Sequence, residues 1–146
     1  MPRIELRDVT DEDRDAAFPL LQDGSPTWRR AAFAERSAFD AWIDEQLTDD
    51  AVTLQAVAVD GDPRGLSAVL PVDDDREIVF ALLPGTDAAV TGEVVRQLTA
   101  REATRPLYAC VSVDDDPAHD VLAGIGFVES ERDGDEIVYV LPPTLE

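Results

Sequence analysis

The segment that most constrains the fold is residues 77–98, which has the pattern of a buried strand, a turn and an amphipathic helix. Its apolar run, Ile78–Leu83, carries hydrophobic side chains on both faces, as expected for a strand covered on both sides of a sheet. A turn at residues 84–87 follows. The apolar residues of the next segment have the spacing of one helix face: Val90, Val94, Val95 and Leu98. Because a helix directs its first free N–H groups toward the end of the preceding strand, this junction predicts a place for a phosphate or another anion.

Acidic residues dominate the charge of the chain. There are 32 Asp and Glu against 12 Lys and Arg, all twelve of them arginine, for a formal net charge of −20. This charge disfavours nucleic-acid binding, which needs a basic patch, and it repels acidic membranes. A dense acidic surface keeps a protein dispersed where salt screens its self-repulsion, so we expect a halophilic source.

Length and composition predict one domain spanning residues 1–146, with 45% hydrophobic residues to form its core. No apolar run approaches the roughly 18 residues that span a bilayer. The N-terminal segment lacks the apolar core of a signal peptide, so a cytoplasmic location is expected. The single cysteine, Cys110, excludes an intrachain disulfide and lies in an apolar run typical of a buried side chain. One His and one Cys lack the ligands of a zinc site, and no metal site is expected.

Alternation, helix periodicity and turn residues predict the order strand, helix, helix, three strands, helix, strand, helix, two strands. The three middle strands have short connections, such as the turn at Asp60–Pro63, and therefore form an antiparallel meander. Thr10 is expected to cap the first helix, Pro19 to kink it or end it early, and Gly126 to end the last helix.

One connection differs from the rest. The step from Ile78–Leu83 through its helix to Pro106–Val113 joins parallel neighbours. The sequence therefore predicts an α/β (α+β) fold. Its sheet is mixed and mostly antiparallel, with six or seven strands, one central parallel pair and about four helices on both faces.

This order of elements resembles the GNAT superfamily of acyl-CoA-dependent N-acyltransferases over almost the whole chain. The clearest local match is residues 105–128. Family members often have there a strand, then Asn-x-x-Ala-x-x-Leu-Tyr, then a Gly-Phe that starts the next strand. The residues in register with that pattern are Ala118, Val121, Gly126 and Phe127. The resemblance implies transfer of an acetyl group from acetyl-CoA to a primary amine of a small molecule or a protein.

The acyl-CoA loop of the family, Arg/Gln-x-x-Gly-x-Gly/Ala, should follow Pro84, and here it is altered. Asp87 stands in place of its Arg, Ala88 and Val90 stand in place of two glycines, and Gly92 matches a glycine slightly further on. Close approach of the backbone to a pyrophosphate favours glycine, and Asp87 puts a negative charge where a cation is expected. In the family the pantetheine arm pairs with the main chain before the loop, in a slot where the two parallel strands splay apart. The cofactor contacts that the resemblance implies are Leu82, Leu83, Asp87, Ala88, Ala89, Val90, Thr91, Gly92 and Asp115.

The reaction also needs a general base, because an amine must lose a proton to attack a thioester. Glu77 is the nearest match by position; the alternative interpretation is a solvated residue at a strand end. The other candidates are Asp73–Asp75 acting through water and His119 as bases, and Tyr108 and Tyr139 as proton donors. The tyrosine that often protonates the leaving thiolate falls on Leu122, which has no proton to give.

These departures leave a second hypothesis open: a GNAT-fold binding or assembly module that has lost catalysis. A homodimer is a further expectation, since the family often pairs through its last strands. Val138, Val140 and Leu141 are apolar enough for such an interface, but a hairpin buried under helices explains them equally well.

Overall fold

The computed structural model describes residues 3–22, 33–72, 74–83, 85–102, 105–113 and 116–142. In chain order its elements are β1 (Ile4–Arg7), α1 (Asp11–Gln22), α2 (Arg36–Thr48), β2 (Thr53–Val59), β3 (Asp62–Val72), β4 (Asp75–Leu82), α3 (Ala88–Arg101), β5 (Leu107–Ser112), α4 (Asp116–Ile125), β6 (Val128–Asp133) and β7 (Glu136–Leu141). The strands of this described part form one sheet in the order β1-β2-β3-β4-β5-β7-β6. Its neighbours are antiparallel except β4 and β5, which are parallel. The predicted mixed sheet with one central parallel pair is confirmed.

The helices cover the sheet on both faces, as the sequence predicted. On one face α1 and α2 pack over β2, β3 and β4 through a core that includes Leu21, Phe39 and Ile43. On the other face α3 and α4 pack over the centre of the sheet through residues such as Val94 and Leu122. Side chains of β5 alternate between the two faces of the sheet: Leu107, Ala109 and Val111 belong to the core on the α3/α4 face.

Three local predictions are confirmed. Thr10 caps α1, since its Oγ1 accepts the N–H of Asp13 at 3.2 Å. Asp60 and Gly61 have φ values of 53° and 86° and connect β2 to β3 as an Asp-Gly hairpin turn, which is shorter than the predicted Asp60–Pro63 because β3 already begins at Asp62. Gly126 follows α4 with φ 120°, and its N–H donates to the Leu122 carbonyl.

Of the two outcomes expected at Pro19, a kink or an early end of the helix, the early end is wrong, because α1 continues to Gln22. Proline removes one helix hydrogen bond, but Ala17 and Leu21 on either side of it are fully buried in the core. Burial of this helix face outweighs the local cost of the proline. The short helix predicted around Trp28 and Ala32 lies outside the described residues.

Candidate functional site

The two parallel strands pair over only part of their length. The register joins Arg76 to Leu107, Glu77 to Tyr108 and Ile78 to Ala109, and within residues 74–83 and 105–113 it extends no further. On their outer sides both strands stay paired, β4 with β3 up to Leu82 and β5 with β7 up to Ser112. The sheet therefore parts between residues 79–82 of β4 and 110–112 of β5, a gap that we name the opening.

The main chain of β4 presents hydrogen-bonding groups to the opening. The N–H of Leu83 donates to the Arg64 carbonyl at 2.8 Å, which fixes the direction in which Leu83 faces. The polar groups of successive residues in a strand alternate in direction, so those of Phe80 and Leu82 are directed away from β3 and toward β5. Leu82 thus presents its main chain to the opening, together with Phe80. Sequence reasoning missed Phe80, which strand alternation identifies only once the contact of Leu83 with Arg64 fixes the direction.

Leu83 differs from Leu82 in that its main-chain groups are used within the chain. Its N–H donates to Arg64, and its carbonyl accepts the Thr86 N–H at 3.2 Å and the Thr86 hydroxyl at 2.5 Å. These bonds build the turn that leads from β4 to α3. Of the two leucines, Leu82 is therefore the one whose main chain is placed to pair with a ligand in the opening.

The first turn of α3 is capped by its own N-cap residue. Asp87 has extended φ and ψ angles of −64° and 140°, and its Oδ1 accepts the Ala89 N–H at 2.9 Å. Its carbonyl accepts the Val90 N–H at 2.9 Å and the Thr91 N–H at 3.3 Å. The N–H groups of Ala89 and Val90, two of those that a helix N-terminus offers to an anion, are engaged within the chain. Asp87 and Ala89 are exposed, so this carboxylate faces solvent at the end of the opening.

The remaining predicted loop residues have separate environments. Ala88 is exposed, whereas the Val90 side chain is only 7% exposed and packs into the core on the α3/α4 face. Gly92 is buried, and a Cβ atom there would lie 3.6 Å from Nη2 of Arg96, an ordinary contact distance. Pro84 and Asp115 lie outside the described residues.

Glu77 lies on the paired side of the opening. It is the third residue of β4, in register with Leu70 of β3 and Tyr108 of β5, and it is only 2% exposed. This burial contradicts the interpretation of Glu77 as a solvated residue at a strand end. Since Leu70 packs on the α1/α2 core, Glu77 faces the α1/α2 side of the sheet, with the half-buried Tyr108 beside it.

His119 and Tyr139 form a pair on the opposite face of the sheet. His119 Nδ1 lies 2.7 Å from the Tyr139 hydroxyl, and its Nε2 lies 3.3 Å from the Val113 carbonyl. Because a carbonyl only accepts, the contact with Val113 needs a proton on Nε2, and in the tautomer that carries its single proton there Nδ1 accepts the tyrosine O–H. Burial, followed by the charge of Glu129, raises the pKa of Tyr139 above its usual 10.0. The sheet separates this pair from Glu77, so the two cannot act on the same atom.

Leu122 occupies the helix position at which the family resemblance placed a tyrosine. It is completely buried and packs in the core on the α3/α4 face. In the described part of the chain, no group of three or more His, Cys, Asp or Glu side chains is placed to hold a metal ion. Among the helices described, none combines the length and the hydrophobicity that a bilayer crossing demands.

The chain resembles solved acetyltransferase structures over most of its length. The N-acetyltransferase PseH of Campylobacter jejuni, in complex with acetyl coenzyme A, superposes with a TM-score of 0.71 at 13% identity, covering 97% of this chain and 100% of that one. A probable acetyltransferase gives a TM-score of 0.73 at 19% identity, covering 95% and 92%. The fold is that of the GNAT acetyltransferases.

Another structure with the GNAT fold, the spermidine N-acetyltransferase of Vibrio cholerae in complex with CoA and spermine, gives a TM-score of 0.70 at 14% identity, covering 94% of this chain and 92% of that one. No family model matches the sequence, and no curated protein matches it either. At identities this low, the superpositions establish a shared fold only. The chemistry of this chain therefore has to be argued from its own residues.

Proposed function

We propose that this protein is an acetyl-CoA-dependent N-acetyltransferase that acts on a primary amine. The observation that carries the proposal is the opening between β4 and β5, which is bordered by main-chain groups of Phe80 and Leu82 and ends at the Ile78–Ala109 pair, with the buried Glu77 next to Ile78 in the paired stretch. A thioester arm placed along β4 would bring its acyl group toward that end. The GNAT structures that resemble this chain include acetyltransferases bound to acetyl-CoA or CoA, which supports the same donor here.

The donor would be held chiefly by the main chain. A pantetheine arm carries amide groups that can pair with the N–H and C=O groups of Phe80 and Leu82 in the manner of an added strand. This interaction does not depend on side chains, so it survives the altered loop. The first turn of α3, from Ala88 to Gly92, lies where the rest of the donor would emerge. Asp115, the remaining contact that the family resemblance implies, lies outside the described residues.

Glu77 would act as the general base. The amine nitrogen forms a bond to the thioester carbonyl carbon and loses a proton to the Glu77 carboxylate, directly or through one water. The C–S bond then breaks, and the thiolate of the donor leaves and takes up a proton. A positioned base of this kind contributes roughly 10²–10⁴ to the rate. Because Leu122 has no proton to donate, we propose that water protonates the thiolate.

The acceptor is proposed to be a primary amine of a small molecule or of a protein. The net charge of −20 attracts cationic amines to the surface, which favours a positively charged acceptor. A spermidine N-acetyltransferase among the structural neighbours acts on such a molecule. A panel of polyamines, amino acids and short peptides, scored by release of free thiol from acetyl-CoA, would identify the class.

The proposal is tested first by calorimetric titration with acetyl-CoA in molar salt, where absence of binding at millimolar ligand would contradict it. The second test is Glu77→Gln, which keeps the size of the side chain and removes the base. It should lower kcat about 10²–10⁴-fold and abolish the acid limb of the pH profile. Glu45→Gln, an exposed carboxylate near the end of α2, is the matched control and should leave kcat unchanged. An unaltered pH profile in Glu77→Gln would exclude Glu77 as the base.

A second candidate function is a GNAT-fold binding or assembly module without catalysis. Two observations favour it: the self-capped start of α3 and the fully buried Leu122 in place of a proton donor. The titration separates the two candidates, because the module should not bind acetyl-CoA.

We also propose that two copies associate through the last strands. Val138 and Val140 of β7 are half-buried, and Val128 of β6 is 54% exposed. Val128 pairs in register with Val140, so these side chains share one face of the sheet, and a second copy could cover them. One structural neighbour, a spermidine N-acetyltransferase, is dodecameric, which makes oligomerisation compatible with the GNAT fold.

A further inference from the structure

The start of α3 already holds a carboxylate where a helix N-terminus would hold a ligand anion. Oδ1 of Asp87 accepts the Ala89 N–H at 2.9 Å, and the Asp87 carbonyl accepts the Val90 N–H at 2.9 Å. The helix dipole and these two donors favour one negative group at this position. Asp87 supplies that group from within the chain, so a diphosphate would have to displace it or bind beside it.

Two further observations make displacement unfavourable. The Val90 side chain is buried in the core, which fixes the first turn of α3 and prevents its main chain from withdrawing to make room. The surroundings are also strongly negative, because the chain carries a net charge of −20. A diphosphate next to Asp87 would meet like charge, while the N–H groups of Ala89 and Val90, which would otherwise offset it, are engaged within the chain.

The edge of β4 that borders the opening, unlike the start of α3, does not disfavour a ligand through charge. The main-chain groups of Phe80 and Leu82 face the opening, and no charge is needed for a neutral amide chain to pair with them. The two halves of an acyl-CoA molecule therefore meet opposite conditions in this protein. Its uncharged pantetheine arm meets a complementary edge, and its charged nucleotide meets a start of α3 that already carries a negative group.

We infer that this protein selects its acyl donor through the pantetheine arm alone, so that acyl-pantetheine thioesters without a nucleotide are donors as good as acyl-CoA. The inference rests on the proposed function, since it concerns the donor of that same reaction. In this inference the Asp87 carboxylate takes the place that the diphosphate would occupy at the start of α3. Because Asp87 caps the helix, no nucleotide is required there.

The test compares acetyl-CoA with acetyl-pantetheine by calorimetric titration of the whole protein at low and at molar salt. The two dissociation constants should agree within about threefold in molar salt. Salt should tighten acetyl-CoA binding, because it screens repulsion between like charges, and should leave the neutral acetyl-pantetheine unaffected. Acetyl-pantetheine also reports, at each salt concentration, whether the protein itself is intact.

Asp87→Asn removes the charge and keeps a side chain that caps helices well. It should tighten acetyl-CoA binding about fivefold at low salt, the factor for two unit charges some 4 Å apart in water, and leave acetyl-pantetheine binding unchanged. Glu45→Gln makes the same change of charge near the C-terminal end of α2 and should affect neither donor.

The outcomes separate the two proposals. Acetyl-CoA binding more than about tenfold tighter than acetyl-pantetheine, and weakening with salt, would overturn the inference and leave the proposed function intact. An unchanged acetyl-CoA affinity in Asp87→Asn would also overturn it. Failure of both donors to bind would overturn the proposed function, and the inference with it.

Discussion

Gly65 determines how closely β3 approaches β4, and replacing it with alanine is a direct test of the sheet geometry beside the opening. A Cβ atom at this position would lie 2.0 Å from the Ala81 carbonyl oxygen and 2.9 Å from the Leu82 Cα. Both are main-chain atoms, so no side-chain rotation can relieve the overlap. Overpacking of this kind costs about 1–3 kcal/mol. The φ angle of 152° adds about 1–3 kcal/mol of backbone strain.

The two costs predict that Gly65→Ala lowers the free energy of unfolding by about 2–6 kcal/mol. Gly61→Ala is the matched control, since Gly61 also has a positive φ, of 86°, but a Cβ atom there meets nothing within 4 Å. It should cost only the strain, about 1–2 kcal/mol. Urea denaturation in molar salt measures both variants. Equal losses in the two would refute the close approach of β3 to β4 at Gly65.

Two further predictions concern charge. Burial raises the pKa of Asp40, but hydrogen bonds from Arg36 and Arg14 together lower it by more, so that the pKa lies below its usual 3.8. When folding lowers the pKa of a carboxyl, the ionised group stabilises the folded protein at any pH above the pKa that the group has in the unfolded chain. This stabilisation is lost as the pH falls through the pKa that the group has in the folded protein. Asp40→Asn should therefore be less stable than the parent at pH 7, with the difference fading below about pH 4 in acid denaturation; a difference independent of pH would contradict this. The net charge of −20 predicts a Tm that rises steeply from low to molar salt, as screening shortens from about 10 Å to 3 Å. A flat Tm would refute the halophilic interpretation.

Much of the fold could be predicted because local signals agreed with the final packing. Ile78–Leu83 is apolar on both faces, and its strand is covered on both sides. Asp60-Gly61 and Gly126 lie at positions with positive φ, where their residue types are favoured. The early helix end expected at Pro19 was wrong because the cost of the proline is local, whereas the burial of Ala17 and Leu21 that offsets it depends on the whole sheet.

The candidate site was less accessible to sequence reasoning. Asp87 was interpreted only as an unfavourable charge, although an aspartate directly before an amphipathic helix is also an N-cap signal. Glu77 follows a run of aspartates, which made a solvated strand end plausible; its burial depends on the strands that pair on both sides of it. The unequal roles of Leu82 and Leu83 follow from strand alternation, but only once the Arg64 contact fixes its direction.

The short pairing of β4 with β5 has a mechanical consequence. Among the described residues, three pairs connect β1–β4 on one side of the sheet to β5, β7 and β6 on the other, whereas neighbouring strands within each half pair over four or more positions. The core under α3 and α4 includes residues of both halves, so the packing of these helices also holds the halves together. We therefore expect the width of the opening to depend on how α3 and α4 pack against the sheet.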